Sequence, residues 1–510
     1  MVMRAEHLAV AAESHTGAQN PTTYLFLSDV HLGSDIVPHV RPWARHAWLR
    51  DTPEVDARLV SLLKHYRLET PRHERVCLVI AGDFLDLVGV SLAVDKALVR
   101  TAPTREERIH GLGSAADHVV LKVRAIAERH AEVFRALAEF LGAGHSLVVV
   151  RGNHDVELHW RSAQCAFVEA VAAHASAGMR ADIRARIRIC PWYFSVRGLF
   201  YVEHGHEFDP MCSFGDPLLP VCARDPRRIR AVPFSLMLRQ VARPTRGLSS
   251  ASYEDVSLTT YLCLLGKLGL WGTARIAVRF GCAVRGLLRE WFHYTFWETP
   301  RRVLRARRLH ARFAAREGLD GPTLERLRSL YTKPAAHSLR VVLKSLYLDR
   351  VFAVLLAFLL MGVAAFIVRT ESLQTGFVMA LLGLGLGGYG IVGSGRDISA
   401  TAPMRRSAQH LGALFDAKYV IMGHTHQPES TRVSQAITYV NLGHWGEDDV
   451  PEERAASAAS APCTFFCLRT DGTGQRAELL AWDEHLGPRP YAPRPTLVPA
   501  PRATAVAGRA

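Results

Sequence analysis

No two cysteines in this chain are spaced as Cys-x-x-Cys, and the nine present are odd in number and scattered from Cys77 to Cys467. That pattern disfavours a disulfide framework and a thiolate zinc site, and it suits a reducing compartment. Cys463 and Cys467 read as strand residues instead. The first 21 residues contain no apolar run behind a basic start and no small-residue cleavage signal, so no secretory leader is expected. Acid is also in short supply: 48 Asp and Glu face 62 Lys and Arg, a formal net charge of +14. Apolar residues are plentiful, at 49% of 510, which excludes a disordered composition and allows two or three domains.

The shortage of acid has a location. Residues 211–350 carry 25 Lys and Arg against 10 Asp and Glu, which leaves the rest of the chain close to neutral. An anionic partner would therefore meet that one segment. Upstream of it, short β-branched runs alternate with helical stretches, the pattern of an α/β layer structure. Strands are predicted at 23–28, 76–81, 146–151 and 199–203, and amphipathic helices at 54–66 and 115–141. The strand pattern resumes at 419–422, 437–441, 464–468 and 478–481. One α/β domain, formed by 23–210 and 396–486, is expected to be interrupted and then completed. Residues 1–22 and the Pro-rich 487–510 read as disordered tails.

Two apolar runs lie inside the interruption. Residues 351–368 carry no charge over 18 positions and 372–395 none over 24, and each could cross about 30 Å of hydrocarbon as a helix. Arg340, Lys344 and Arg350 precede them and Arg396, Arg405 and Arg406 follow, against only Arg369 and Glu371 in the connection. This asymmetry predicts a transmembrane hairpin over 351–395 with both ends in the cytoplasm. A pair of buried helices is the alternative. The glycines of 384–390 would let the two helices approach each other closely, or pack against another copy in a homo-oligomer. In the basic helical insert, 211–350, the stretches 261–288 and 301–316 suit a lipid headgroup layer, and equally a solvated basic face.

Five short motifs carry the chemistry. They are Asp29-Val30-His31, Gly82-Asp83-Phe84-Leu85-Asp86, Gly152-Asn153-His154-Asp155, His204-Gly205-His206 and Gly423-His424-Thr425-His426, and each follows a predicted strand. Ligand-type residues thus recur at the C-terminal edges of strands, where open α/β sheets place their sites. In extended chain, alternation would put Asp29 and His31 on one side, as two ligands of one cation require. Any one of these histidines alone is more often a surface or hydrogen-bonded core residue. Five motifs in register are hard to ascribe to chance.

In these blocks the chain resembles the calcineurin-like metallophosphoesterase superfamily, whose pattern is Asp-x-His, Gly-Asp-x-x-Asp, Gly-Asn-His-Asp, His-Gly-His and Gly-His-x-His. The resemblance covers 24–210 and 418–482 and omits the insert and tails. It implies a four-layer sandwich of two mixed β-sheets flanked by helices, holding two divalent metal ions. It further implies that Asp29, His31 and His426 hold one ion, that Asn153, His204 and His424 hold the other, and that Asp83 bridges them. His154 would sit above the pair, oriented by Asp155. Asp86 and His206 complete their motifs with weaker claims, and Asn441-Leu442-Gly443-His444 reads as structural. The chain is more distantly similar to the UDP-diacylglucosamine pyrophosphohydrolases, which also carry a basic, lipid-facing helical insertion. It differs from them in having His154 in place of an arginine and His426 in a different closing motif.

Carboxylate and imidazole ligands suit manganese, iron or zinc more than calcium or magnesium, with Mn2+ the first expectation. Two such cations about 3.5 to 4 Å apart clamp a phosphate and acidify a shared water. His154 could then protonate the leaving oxygen or stabilise phosphoryl charge. Since motifs before and after the insert must meet, an even number of spans has to separate them. The function expected is a membrane-anchored, metal-dependent phosphoric ester hydrolase at the cytoplasmic (inner) membrane, its catalytic domain facing the cytoplasm. Its substrate would be a phosphorylated small molecule or a lipid-linked phosphate ester or pyrophosphate, with anionic membrane lipid as a partner. The alternative is a phosphodiesterase or nuclease, against which the basic stretches show little aromatic interleaving. A non-enzymatic scaffold would have no need of the complete ligand set.

Overall fold

The computed structural model describes residues 23–36, 53–93, 95, 97–245, 258–296, 300–337, 348–370, 373–392, 400–446, 463–471 and 474–491. The expected N-terminal tail, 1–22, lies outside them. So do 492–510 of the expected C-terminal one.

Strands β1 (Thr23–Leu27), β2 (Val76–Ala81), β3 (Ser146–Val150) and β4 (Ile187–Cys190) pair in parallel in that order. The first three are almost wholly buried and almost wholly apolar, as strands covered on both faces must be. A second sheet has the order β5-β6-β7-β9-β8, built from β5 (Phe194–Val196), β6 (Phe200–Val202), β7 (Tyr419–Met422), β8 (Glu429–Arg432) and β9 (Thr438–Asn441). Its centre, β6-β7-β9, is parallel and its edges antiparallel. The chain then returns to the first sheet, adding β10 (Thr464–Asp471), β11 (Gly474–Asp483) and β12 (Gly487–Pro490) antiparallel beside β1. Gly487–Pro490, assigned by sequence to the tail, is thus a paired edge strand; its Arg489 lies opposite Ala481.

The two sheets face each other. Tyr24, Phe26, Val79 and Val148 of one pack with Phe200, Val202, Ile421 and Val440 of the other. On the outer face of the first sheet, Leu25, Leu78, Ile80 and Val149 meet helices Pro53–Glu69, Ala116–Arg129, Ala131–Gly142 and Arg161–Ala172. The outer face of the second, with Tyr201, Val420 and Tyr439, is covered by helix Thr401–Phe415 and by insert helices Pro300–Glu317 and Gly321–Ser329. The result is an α/β fold with two mixed sheets flanked by helices.

The insert leaves after β6 and returns at β7, which are parallel neighbours with Val202 opposite Ile421. The pairing of the sheet therefore does not depend on the length of chain between them. Residues 115–141 do not form one helix. The break falls at His130 (φ −107°, ψ 37°), whose ring lies between the Asp56 carboxylate at 2.9 Å and the Gly33 amide at 3.0 Å. A continuous helix would forfeit that tie to the loop behind His31.

The two apolar runs form helices Leu348–Thr370 and Leu373–Val392, packed on one another. Among the described residues no helix is long and apolar enough to cross a membrane, so the expected transmembrane hairpin is not found there. Within the two helices Phe358, Leu359, Phe366, Phe377, Val378, Leu382 and Leu384 all point outward, each more than half exposed. Among the described residues no disulfide links the cysteines.

Candidate metal centre

The motif loops leave the C-terminal ends of β1, β2, β3, β6 and β7 toward one point between the sheets. Asp29, His31, Asp83, His424 and His426 all adopt left-handed φ, between 53° and 71°. The one other described non-glycine residue with positive φ is Asp416, the C-cap of helix Thr401–Phe415. Such a conformation costs about 1–3 kcal/mol at each residue and clusters where a site over-determines it. It also corrects the extended geometry expected for Asp29 and His31. Their side chains converge because each backbone turns back on itself, with both Val30 and His31 amides donating to Asp83 O at 3.0 Å.

Asp29, His31 and His426 present donor atoms within 4.8 Å of one another. Asp29 Oδ1 lies 3.1 Å from His426 Nε2, and the two imidazole Nε2 atoms are 3.4 Å apart. Asp29 Oδ2 is already engaged, accepting from the Ser28 hydroxyl at 2.5 Å and the His424 amide at 3.0 Å. Oδ1 is left to face the other donors. A second group joins Asp29, Asp83 and His204, and a third His31, Asp83 and His154, so Asp83 belongs to both. His204 donates from Nδ1 to Ala81 O at 2.9 Å, which fixes its tautomer and presents Nε2 to Asp83 Oδ2 at 3.1 Å and Asn153 Oδ1 at 3.0 Å. His424 stands beside this group rather than in it. Its ring is 5.2 Å from that of His204, and its Nε2 faces Asp209 Oδ2 at 3.1 Å.

The donor set fits divalent cations. Asp29 and Asp83 are buried at 0% and 1% exposure, and two buried carboxylates so close require positive charge between them. Burial acts to lower the His204 pKa, but Asp83 and Asp29 overcome it and raise it to about 9. Burial would likewise raise Asp83, yet the nearby imidazoles hold it well below the carboxylate range. A proton on His204 does here what a cation would do better, and metal binding would displace it.

No family model matches the chain, and no curated protein does. One similar solved structure is a dimetal phosphatase from Danio rerio, 10% identical, covering 91% of this chain and 100% of that one at a TM-score of 0.25. A likeness that slight decides nothing about this chain. The chemistry of the centre has to be read from its own geometry.

His154 is held, but not by Asp155. Its Nδ1 donates to Asp86 Oδ1 at 2.7 Å, and its ring packs 4.3 Å from that of His31 and 4.9 Å from that of Phe234. Asp155 turns the other way, accepting from the Gly152 amide at 2.7 Å and the Phe84 amide at 2.9 Å. It ties the β2 and β3 loops together. The reason is steric: the turn after β3 aims consecutive side chains in different directions, so the sequence neighbour of His154 cannot reach its ring. His206 belongs to none of the donor groups; its Nε2 lies 3.6 Å from Glu207 Oε1. Asn441 holds the last loop, donating to Gly423 O at 2.8 Å and Thr425 Oγ1 at 3.0 Å.

Two contributors escape sequence reasoning. Arg243 lies in the insert, far from any motif. Asp209 follows the fourth motif, at the point where the insert departs, and it is fully buried against His424. A carboxylate behind a ligating imidazole orients it and raises its basicity. Asp209→Asn is expected to weaken one of two metal-binding steps by about 10- to 100-fold and leave the other near wild type. Calorimetric titration of the metal-free protein would show this, and two unchanged steps would remove Asp209 from the centre.

Proposed function

We propose that this chain is a metal-dependent phosphoric ester hydrolase, working at a membrane on a phosphate ester or pyrophosphate carried by a lipid-linked substrate. The observation that carries the hydrolase reading is the convergence of donors from five loops, with five of those residues strained into left-handed backbone. Two divalent cations, Mn2+ foremost, would polarise the phosphoryl group and acidify a water there. Asp29, His31 and His426 would hold one, Asn153, His204 and His424 the other, with Asp83 between them. His154, its Nδ1 fixed by Asp86, has Nε2 left to give a proton to the leaving oxygen.

The membrane part of the proposal is supported by the outward-facing apolar side chains of helices Leu348–Thr370 and Leu373–Val392. It is supported too by Arg301, Arg305, Arg308 and Arg312, which form an exposed stripe at three- and four-residue spacing on helix Pro300–Glu317. We place the catalytic domain on the cytoplasmic side, where anionic lipid would meet that stripe.

Purified, manganese-loaded protein is expected to hydrolyse p-nitrophenyl phosphate or its diester and to lose that activity in EDTA. Cyclic nucleotides, single-stranded nucleic acid and lipid pyrophosphates complete the panel, and preference for the nucleotides would favour the nuclease alternative. Full chain should co-sediment with phosphatidylglycerol vesicles, and replacing 351–395 by a Gly/Ser linker should release it while aryl phosphatase activity stays within about threefold. Co-sedimentation that survives the replacement, or solubility of the full chain without detergent, would defeat the anchor.

A further inference from the structure

The insert reaches back into the catalytic centre. Helix Pro233–Met237 continues into a π-helical turn, Leu238–Ala242, closed by the Arg243 amide on Leu238 O at 2.9 Å. Such wide turns recur at functional sites because they re-aim side chains. Arg239 and Arg243 both point from it onto the phosphoesterase loops. Arg239 meets Glu106 at 3.0 Å and donates to Gly111 O at 3.0 Å, which fastens the arm. Phe234, at its start, lies against the His154 ring.

Arg243 makes two contacts. Its Nη1 donates to Ser34 O, in the loop that follows His31, at 2.5 Å. Its Nη2 pairs with Asp86 Oδ2. The oxygens of Asp86, itself 1% exposed, are thereby divided. Oδ1 takes His154 Nδ1 and the Gly89 amide at 2.8 Å, and Oδ2 takes the guanidinium. A buried carboxylate held at one oxygen can rotate and misalign its partner imidazole. One held at both cannot.

We infer that Arg243 is a positioning residue for catalysis: from the insert, it locks Asp86 so that His154 is aligned to protonate the leaving oxygen. This rests on the phosphoesterase reading above. The guanidinium fork matters as well as its charge, because an ammonium at the shorter Lys could reach Ser34 O or Asp86 but not span both. The arm also makes the insert part of the active enzyme rather than an appendage to it.

The test compares wild type, Arg243→Ala and Arg243→Lys on p-nitrophenyl and phenyl phosphate. A good leaving group needs little help from an acid, whereas a poor one depends on it. Arg243→Ala is expected to lower kcat about 10-fold on the nitrophenyl ester and about 100-fold on the phenyl ester, with KM and metal content unchanged. Arg243→Lys should fall between, and added guanidinium should restore part of the Ala variant's rate. In a His154→Asn background Arg243→Ala should cost nothing further, since residues acting as a unit are not additive. A downfield imidazole N–H proton resonance, present in wild type and abolished by His154→Asn, should be lost in Arg243→Ala. Equal losses on both esters, or additivity with His154→Asn, would overturn the inference. Should wild type hydrolyse neither ester, the phosphoesterase reading fails by itself, and persistence of the N–H resonance in Arg243→Ala would still sink the positioning role.

Discussion

Asp83→Asn is expected to reduce kcat/KM by about a thousandfold or more and to cut bound metal from two ions per chain to one or none. Asp83 belongs to two donor groups, one with Asp29 and His204 and one with His31 and His154, whereas Asp29, which is also shared between two groups, has Oδ2 already taken up by the Ser28 hydroxyl and the His424 amide. The second role of Asp83 is structural, since Oδ1 accepts the His154 amide at 2.8 Å. An amide oxygen can keep that contact, and so the fold should survive. The charge is what goes. Metal analysis and steady-state rates on the same preparation test this, with the thermal midpoint of the metal-free variant as control for folding. Two tightly held ions in Asp83→Asn would remove the bridging role, whatever the rate.

Much of this centre can be read in the sequence because its ligands come directly after buried strands. Runs such as Val76–Ala81 and Tyr419–Met422 announce themselves by β-branched and apolar content, and polar residues at their ends fall on the sheet edge whatever the turn does. What the turn does is harder to read. Asp29 and His31 look alternately spaced along an extended strand, yet the strand ends at Leu27 and both residues are left-handed. The pairing of His154 with Asp155 fails for a similar reason: adjacency in sequence says nothing about which way a tight loop aims each side chain. Asp86 has only a lesser claim in sequence because its partner lies 68 positions away. Arg243 and Asp86 are 157 apart, and a solitary arginine in a basic segment carries no local mark. Charge composition locates the insert but cannot show that part of it folds over the site.

His154→Asn and Asp155→Asn separate catalysis from construction. His154 is 8% exposed and borders the centre, and its Nδ1 is fixed. Its replacement removes a proton donor, so kcat should fall by about 10²- to 10⁴-fold while two ions remain bound. The steeper penalty should appear on phenyl than on nitrophenyl phosphate. Asp155 should behave in the opposite sense. Both of its oxygens accept backbone amides, and an asparagine can offer one oxygen only, leaving its own amide against a donor in a fully buried pocket. That mismatch costs about 1–3 kcal/mol, so the metal-free Asp155→Asn variant should melt well below wild type, whereas His154→Asn should not. Because the two amides belong to Phe84 and Gly152, the neighbours of Asp83 and Asn153, Asp155→Asn should also loosen metal binding. If Asp155→Asn instead retained its stability and lost rate selectively on the poor leaving group, Asp155 rather than Asp86 would be the partner of His154. The arm that carries Arg243 would then be only a cover over the site.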